Sequence, residues 1–145
     1  MTNDIVRFYI SPEGKLSYAN IKKVFNAKPY DGILYQVEDV FSVRENTDIN
    51  YDSNFNYAVS SGDTELFLMI SMVGRYALIY SNRRGIFVEN HTHNSELFVY
   101  LREMMVANNI ELVNGPILKS KVSPVQAGYR RILDKNIFYY LFERE

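Results

Sequence analysis

The clearest pattern of apolar and polar positions in the chain lies between Asn94 and Asn109. Apolar residues recur there at the spacing i, i+1, i+4, i+7 and i+8, which places them on one stripe of an α-helix. These residues are Leu97, Phe98, Leu101, Met104 and Met105. Asn94 or Ser95 can cap the helix, and Asn108 with Asn109 favours its end. The pattern therefore predicts an amphipathic helix with this stripe against the core.

Two other segments have helical spacing. The first follows Ser17, a capping residue, and its apolar face consists of Tyr18, Ile21, Val24 and Phe25. The second starts at Ser123, which is followed by a first-turn proline, and its apolar face consists of Val125, Tyr129, Ile132 and Leu133. Both segments predict short helices, and with the longer one they bring the predicted number of helices to three.

Shorter apolar runs between turn residues predict strands rather than helices. The predicted strands are residues 4–11, 33–43, 56–59, 66–73, 76–80, 86–89 and 137–142, with 110–113 as a further candidate. Turn signals at 60–63 and 74–75 separate consecutive strands, as in an antiparallel meander. These patterns predict an α+β fold with a mainly antiparallel sheet of about six or seven strands and three helices packed on it.

Length and composition favour one ordered globular domain that spans residues 1–145. Apolar residues make up 47% of the chain and charged residues 23%, far from the composition of disordered chains. The chain has no cysteine, which excludes disulfides and thiolate metal ligands and predicts a cytoplasmic location. The longest apolar run, 66–73, is too short to span a bilayer, so we expect no membrane insertion.

Negative charge is concentrated in one part of the chain. Between Asp31 and Glu65 there are eight carboxylates and a single basic residue, Arg44, whereas the net charge of the whole chain is −1. If the fold gathers such side chains, they make a negative surface that attracts basic proteins and repels nucleic acid. We therefore expect a basic protein partner and no nucleic-acid partner.

Tyrosine is abundant, with 12 residues, and several of them lie within or beside the acidic segment. Tyrosine supplies a large contact area at small entropic cost and is common in interface hot spots. The sequence therefore predicts a non-enzymatic protein that binds a basic partner protein through this surface. One concrete form is an immunity or antitoxin-type inhibitor that covers the basic active site of a nuclease toxin. The predicted contact residues are Glu38, Asp39, Glu45, Asp48, Tyr51, Asp52, Phe55, Tyr57 and Asp63.

Two other hypotheses remain open. Both histidines of the chain, His91 and His93, lie in one loop with Glu89 nearby, so a small metal-dependent or acid-base enzyme could be centred there. Alternatively, the apolar segment 137–142 could pair across a dimer, in a homo-oligomeric structural protein or a phage accessory protein. The chain contains no nucleophile elbow and no phosphate-binding loop, so we expect no catalytic residues and no cofactor.

Overall fold

The computed structural model describes residues 18–47, 53–72, 74–81 and 95–113, and these form three helices and five strands. The helices are α1 (Tyr18–Ala27), α2 (Asp31–Glu38) and α3 (Glu96–Ala107). The strands are β1 (Ser42–Glu45), β2 (Asn54–Ser61), β3 (Thr64–Ser71), β4 (Tyr76–Tyr80) and β5 (Glu111–Leu112). The predicted α+β class is confirmed. Of the helices within these ranges, none has the length and hydropathy of a membrane span.

The five strands form one mixed sheet in the order β1-β2-β3-β4-β5. Strands β1 to β4 pair antiparallel with their neighbours, whereas β5 pairs parallel with β4 after the chain has passed through α3. Gly62 lies in the turn between β2 and β3 with φ +58°, a left-handed conformation that glycine adopts without steric cost. The prediction of six or seven mainly antiparallel strands is therefore right only in part, because the described residues form five strands that include a parallel pair.

The predicted strand at 33–43 is wrong, because its first half is part of helix α2. Alternation of Ile33, Tyr35 and Val37 favours a strand only when Leu34 is ignored. In the structure Ile33, Leu34 and Val37 are buried at the helical spacing i, i+1, i+4, and Tyr35 is 64% exposed. After the helix, only the four residues of β1 form a strand.

The other predicted elements within the described ranges are confirmed. The predicted strands 56–59, 66–73 and 76–80 correspond to β2, β3 and β4, and the candidate 110–113 contains β5. The long predicted helix is α3, and the helix that follows Ser17 is α1. The remaining predictions fall outside the described residues, namely the strands 4–11, 86–89 and 137–142 and the helix that starts at Ser123.

One face of the sheet forms the core together with the helices. Alternate residues of β2 and β3 meet on this face as cross-strand partners, and each is at most 3% exposed. The pairs are Phe55 with Ile70, Tyr57 with Leu68, and Val59 with Leu66. Apolar side chains of all three helices cover them, including Ile21 of α1, Val37 of α2 and Leu101 of α3. Burial of this apolar surface is the main favourable term in the stability of the fold.

Arg75 joins the start of β4 to the end of α3. Its Nε donates to the carbonyl of Asn109 at 3.2 Å, and its Nη2 donates to the carbonyl of Asn108. The carbonyls at a helix C-terminus lack helical partners, and a cation there is favourable. The carbonyl of Arg75 accepts a hydrogen bond from the backbone N–H of Glu111 at 2.9 Å, and this bond lies at the start of the parallel pairing of β4 with β5.

We expect the Ser95→Ala variant to be less stable than the wild type by about 1 kcal/mol. Ser95 is the N-cap of α3, and its Oγ accepts a hydrogen bond of 3.1 Å from the backbone N–H of Phe98, which alanine would remove. Urea unfolding followed by circular dichroism measures the difference. Ser42→Ala, at an exposed position of β1, is the control and should change stability by less than about 0.5 kcal/mol. Equal stability of Ser95→Ala and the wild type would contradict the capping role.

Candidate functional site

One side of α2 carries a stripe of acidic and aromatic residues. Asp31, Leu34, Tyr35 and Glu38 follow the spacing i, i+3, i+4 and i+7, so they lie on the same side of the helix. Leu34 is buried, Asp31 is half-buried, and Tyr35 and Glu38 are exposed. The stripe therefore runs along the boundary between the core and the surface.

Strands β1 and β2 face this stripe. Val43 and Glu45 are two residues apart in β1, so they lie on the same face of the sheet. Tyr57 in β2 is the cross-strand partner of Glu45, and its side chain therefore lies on that face as well. Between the helix and the two strands there is a cleft with a volume of about 100 Å³. This acidic cleft is lined by Asp31, Leu34, Tyr35, Glu38, Val43, Glu45 and Tyr57.

The acidic cleft carries three carboxylates, those of Asp31, Glu38 and Glu45. Lys28 lies beside the cleft, with its Nζ 3.7 Å from Oε1 of Glu45 and 4.5 Å from the centre of the Phe25 ring. The side chains of Lys28 and Glu45 are 37% and 41% exposed, and ion pairs with this exposure contribute little because water screens them. Counting the described residues that line the cleft together with Lys28, the site therefore remains net negative.

Tyr57 lines the acidic cleft and carries a buried hydroxyl without a hydrogen-bond partner among the described residues. The residue as a whole is 3% exposed. Burial raises the pKa of this phenol, and the charges of Glu45 and Asp31, together with Tyr30, raise it further. The hydroxyl therefore stays protonated at neutral pH and can both donate and accept a hydrogen bond.

The structure brings together part of the predicted contact surface. Glu38, Glu45 and Tyr57 line the acidic cleft, and Asp39 is exposed immediately after α2. Asp63 is exposed in the turn between β2 and β3 and does not line the cleft. Three further predicted residues lie outside the described residues, namely Asp48, Tyr51 and Asp52.

Phe55 lies in the core rather than on the predicted contact surface. It is 1% exposed, and its ring packs against the rings of Phe25 and Tyr30, with centroids 6.3 Å and 5.8 Å away. A side chain held in this way offers no area to a partner. Phe55 instead belongs to the same buried face of β2 as Tyr57, and it helps to fix that strand beneath the helices.

The carboxylates of the acidic segment lie on both faces of the sheet. Glu65 pairs with Ser60, which in turn pairs with Ser42, so Glu65 lies on the opposite face from Glu45. Arg44 lies on that opposite face as well, because it alternates with Glu45 along β1. The negative charge of the cleft is therefore separated from the one arginine of the segment.

Asp31 and Tyr35 line the acidic cleft but are absent from the predicted contact residues. Treating 33–43 as a strand leaves no reason to group these two residues with Glu38. The signal that reveals them is the helical spacing i, i+4, i+7 of Asp31, Tyr35 and Glu38, which puts all three on one side of α2.

The carboxylates of the cleft are spread along its walls. Among the described residues, no three histidine, cysteine, aspartate or glutamate side chains are close enough to hold one metal ion. The residues of the alternative metal-site hypothesis, His91, His93 and Glu89, lie outside the described ranges.

Comparisons with protein-family models, with curated proteins and with solved structures find no match to this chain. The geometry, charge and burial of the acidic cleft are therefore the basis for a functional argument.

We expect the Tyr57→Phe variant to be more stable than the wild type by about 1 to 2 kcal/mol. A buried hydroxyl without a partner costs free energy of desolvation, and phenylalanine keeps the ring while it removes that group. Urea unfolding at neutral pH measures the change. Tyr35→Phe, at a position that is 64% exposed, is the control and should leave stability nearly unchanged. A less stable Tyr57→Phe variant would mean that the hydroxyl is hydrogen-bonded in solution.

We also expect Tyr57→Phe to alter unfolding at alkaline pH. The unfolded chain releases the Tyr57 proton near the ordinary pKa of 10.0, whereas the raised pKa of the folded state retains it. Because the folded state then binds more protons, the wild type loses stability as the pH rises above 10.0. Its unfolding free energy should fall more steeply than that of Tyr57→Phe, by up to about 1.4 kcal/mol per pH unit. Parallel pH profiles for the two proteins in this range would contradict the raised pKa.

Proposed function

We propose that this chain is a non-enzymatic protein that binds a basic partner protein through the acidic cleft and the exposed carboxylates beside it. The observation that carries this proposal is the convergence of the Asp31, Glu38 and Glu45 carboxylates with two tyrosines in one cleft. Asp39 extends the negative surface beyond the end of α2. Lys28 offsets only one of these charges.

The charge of this surface favours a basic partner both before and at contact. Before contact, a negative surface attracts a positive one and raises the rate of encounter. At contact, carboxylates accept strong charge-assisted hydrogen bonds from lysine and arginine side chains. The same surface repels the phosphates of nucleic acid. A basic protein is therefore the class of macromolecule to which this surface is complementary.

An inhibitor of a nuclease toxin, of the immunity or antitoxin type, is the concrete form that we favour. Nuclease active sites bind phosphate groups and are therefore positively charged, so an acidic surface can both find and cover them. Tyr35 suits such an interface because it is 64% exposed, and its ring adds contact area at low entropic cost. Inhibition by coverage needs complementary shape and charge, and it needs no catalytic residue.

We expect the double variant Glu38→Lys/Asp39→Lys to lose basic proteins that the wild type captures. Both residues are exposed, so the changes should leave the fold intact. The measurement is capture of proteins from an extract of the native host on immobilised wild type or variant. At ~0.1 M salt, attraction between exposed charges extends about 10 Å, and at ~1 M salt it is largely screened. Specific partners should bind the wild type at the lower salt concentration and be released at the higher one.

Glu65→Lys/Glu103→Lys is the matched control for this experiment. Both glutamates are exposed, and neither lines the acidic cleft. Each double variant changes the net charge by the same amount, from −1 to +3, so a difference in capture reports the position of the charges. Equal loss in both variants would contradict a localised binding surface. Full capture by Glu38→Lys/Asp39→Lys would contradict the proposal directly.

A further inference from the structure

We infer that the acidic cleft receives an arginine side chain of the partner protein, whose guanidinium group is held by the Tyr57 hydroxyl and the surrounding carboxylates. This inference deepens the proposed function and rests on it. It identifies the point of contact on this chain and the chemical group that the cleft recognises.

The unsatisfied hydroxyl of Tyr57 is the first observation that points to a ligand. The residue is 3% exposed, and its hydroxyl has no partner among the described residues. Buried polar groups in folded proteins are nearly always paired, so an unpaired hydroxyl in a residue that lines a cleft points to a partner from outside the described residues. Glu45 is the cross-strand partner of Tyr57, and Asp31 lines the same cleft, so both carboxylates lie on the walls around this residue. An N–H donor that enters there would meet the phenolic oxygen and the carboxylates together.

The distribution of acceptors favours a guanidinium group over a metal ion or an ammonium group. Within the part of the chain that the structure describes, no three potential ligands are close enough to hold one metal ion. The carboxylates instead come from both walls, with Asp31 and Glu38 on α2 and Glu45 on β1. A guanidinium group presents five N–H donors in a plane and can reach several separated oxygens at once. A lysine ammonium group has three donors around one atom, so it would satisfy fewer of them.

The size of the cleft and its rim also suit an arginine side chain. The volume of about 100 Å³ is well below that of pockets for drug-sized ligands. Tyr35 lines the cleft and is 64% exposed, so its ring is available to stack on the guanidinium plane. Because so little of Tyr35 is buried, its side chain can reorient at small cost as the guanidinium group enters the cleft.

Lys28 forms an ion pair with Glu45, one of the carboxylates that the arginine would contact. Its Nζ is 3.7 Å from Oε1 of Glu45, but Lys28 does not line the cleft. Its removal would leave Glu45 available to the incoming guanidinium group without changing the walls. Lys28 therefore offers a test in which binding should become tighter rather than weaker.

The experiment is a titration of the full chain with N-acetyl-arginine methylamide, followed by NMR of the backbone amides. The citrulline analogue is the matched probe without charge, and the lysine analogue is the matched probe with an ammonium group. With the arginine probe we expect saturable shifts in α2, in β1 and around Tyr57. The lysine probe should bind more weakly, and the citrulline probe should not saturate.

Three variants make this test specific to the cleft. Tyr57→Phe should weaken binding of the arginine probe at least about tenfold, although we expect it to be more stable than the wild type. Lys28→Gln should tighten binding about two- to fivefold, the range expected for removal of an exposed competing ion pair. Glu103→Gln, at an exposed position of α3 outside the cleft, should leave binding unchanged.

Several outcomes would overturn the inference. One is the lack of saturable shifts when the wild type is titrated with the arginine probe. Others are equal binding of the lysine or citrulline probe, saturation of the same residues by calcium or magnesium chloride, and unchanged binding in Tyr57→Phe. These failures are distinguishable from failure of the proposed function. If only the arginine inference fails, the wild type would still capture basic proteins in a salt-dependent way, and Glu38→Lys/Asp39→Lys would still lose that capture.

Discussion

The pairing of β2 with β3, with alternate side chains buried beneath the helices, is the constraint on which the rest of the structure depends. The two strands pair from Asn54 with Ser71 to Ser61 with Thr64, so their register decides which residues face the helices. A slip of one residue would move Tyr57 to the opposite face and carry a polar neighbour into the core. The apolar stripes of the helices cover the face of the sheet that the observed register buries.

The acidic cleft forms where β2 pairs with β1, at the edge of the described sheet. Tyr57 lies on the buried face, but its neighbour in β1 is a charged residue, Glu45. The transition from apolar core to charged surface therefore occurs within one cross-strand pair. Tyrosine spans this transition, because its ring is apolar and its hydroxyl is polar. Among the described residues this hydroxyl has no partner, and proteins commonly tolerate the cost of such a group where a side chain serves binding.

The periodicity of apolar residues correctly predicts those elements whose apolar residues all lie on one face. In α3, Leu97, Phe98, Leu101 and Met105 are buried at the predicted spacing, and Ser95 caps the helix. Prediction fails for α2 because the exposed Tyr35 resembles a core residue and completes a false alternation. It also cannot show that β5 pairs parallel with β4, since that pairing depends on contacts distant in sequence. For the site, the excess of carboxylates is visible in the sequence. Which of them converge depends on the helix at 31–38 and on the β1–β2 register, and neither is encoded in local charge.

The length of the outer strands affects how the described part of the sheet can meet other chains. β1 has four residues and β5 has two, so each margin presents few backbone N–H and C=O groups. Addition of a strand from another molecule requires a row of such groups, and the charged side chains of Arg44 and Glu45 on β1 disfavour it further. Within the described part of the sheet, short and charged outer strands therefore offer little template for edge-to-edge pairing with another sheet. In the proposed binding mode, selectivity beside β1 therefore comes from side chains, whose pattern differs between partners, rather than from the backbone, which is common to all proteins.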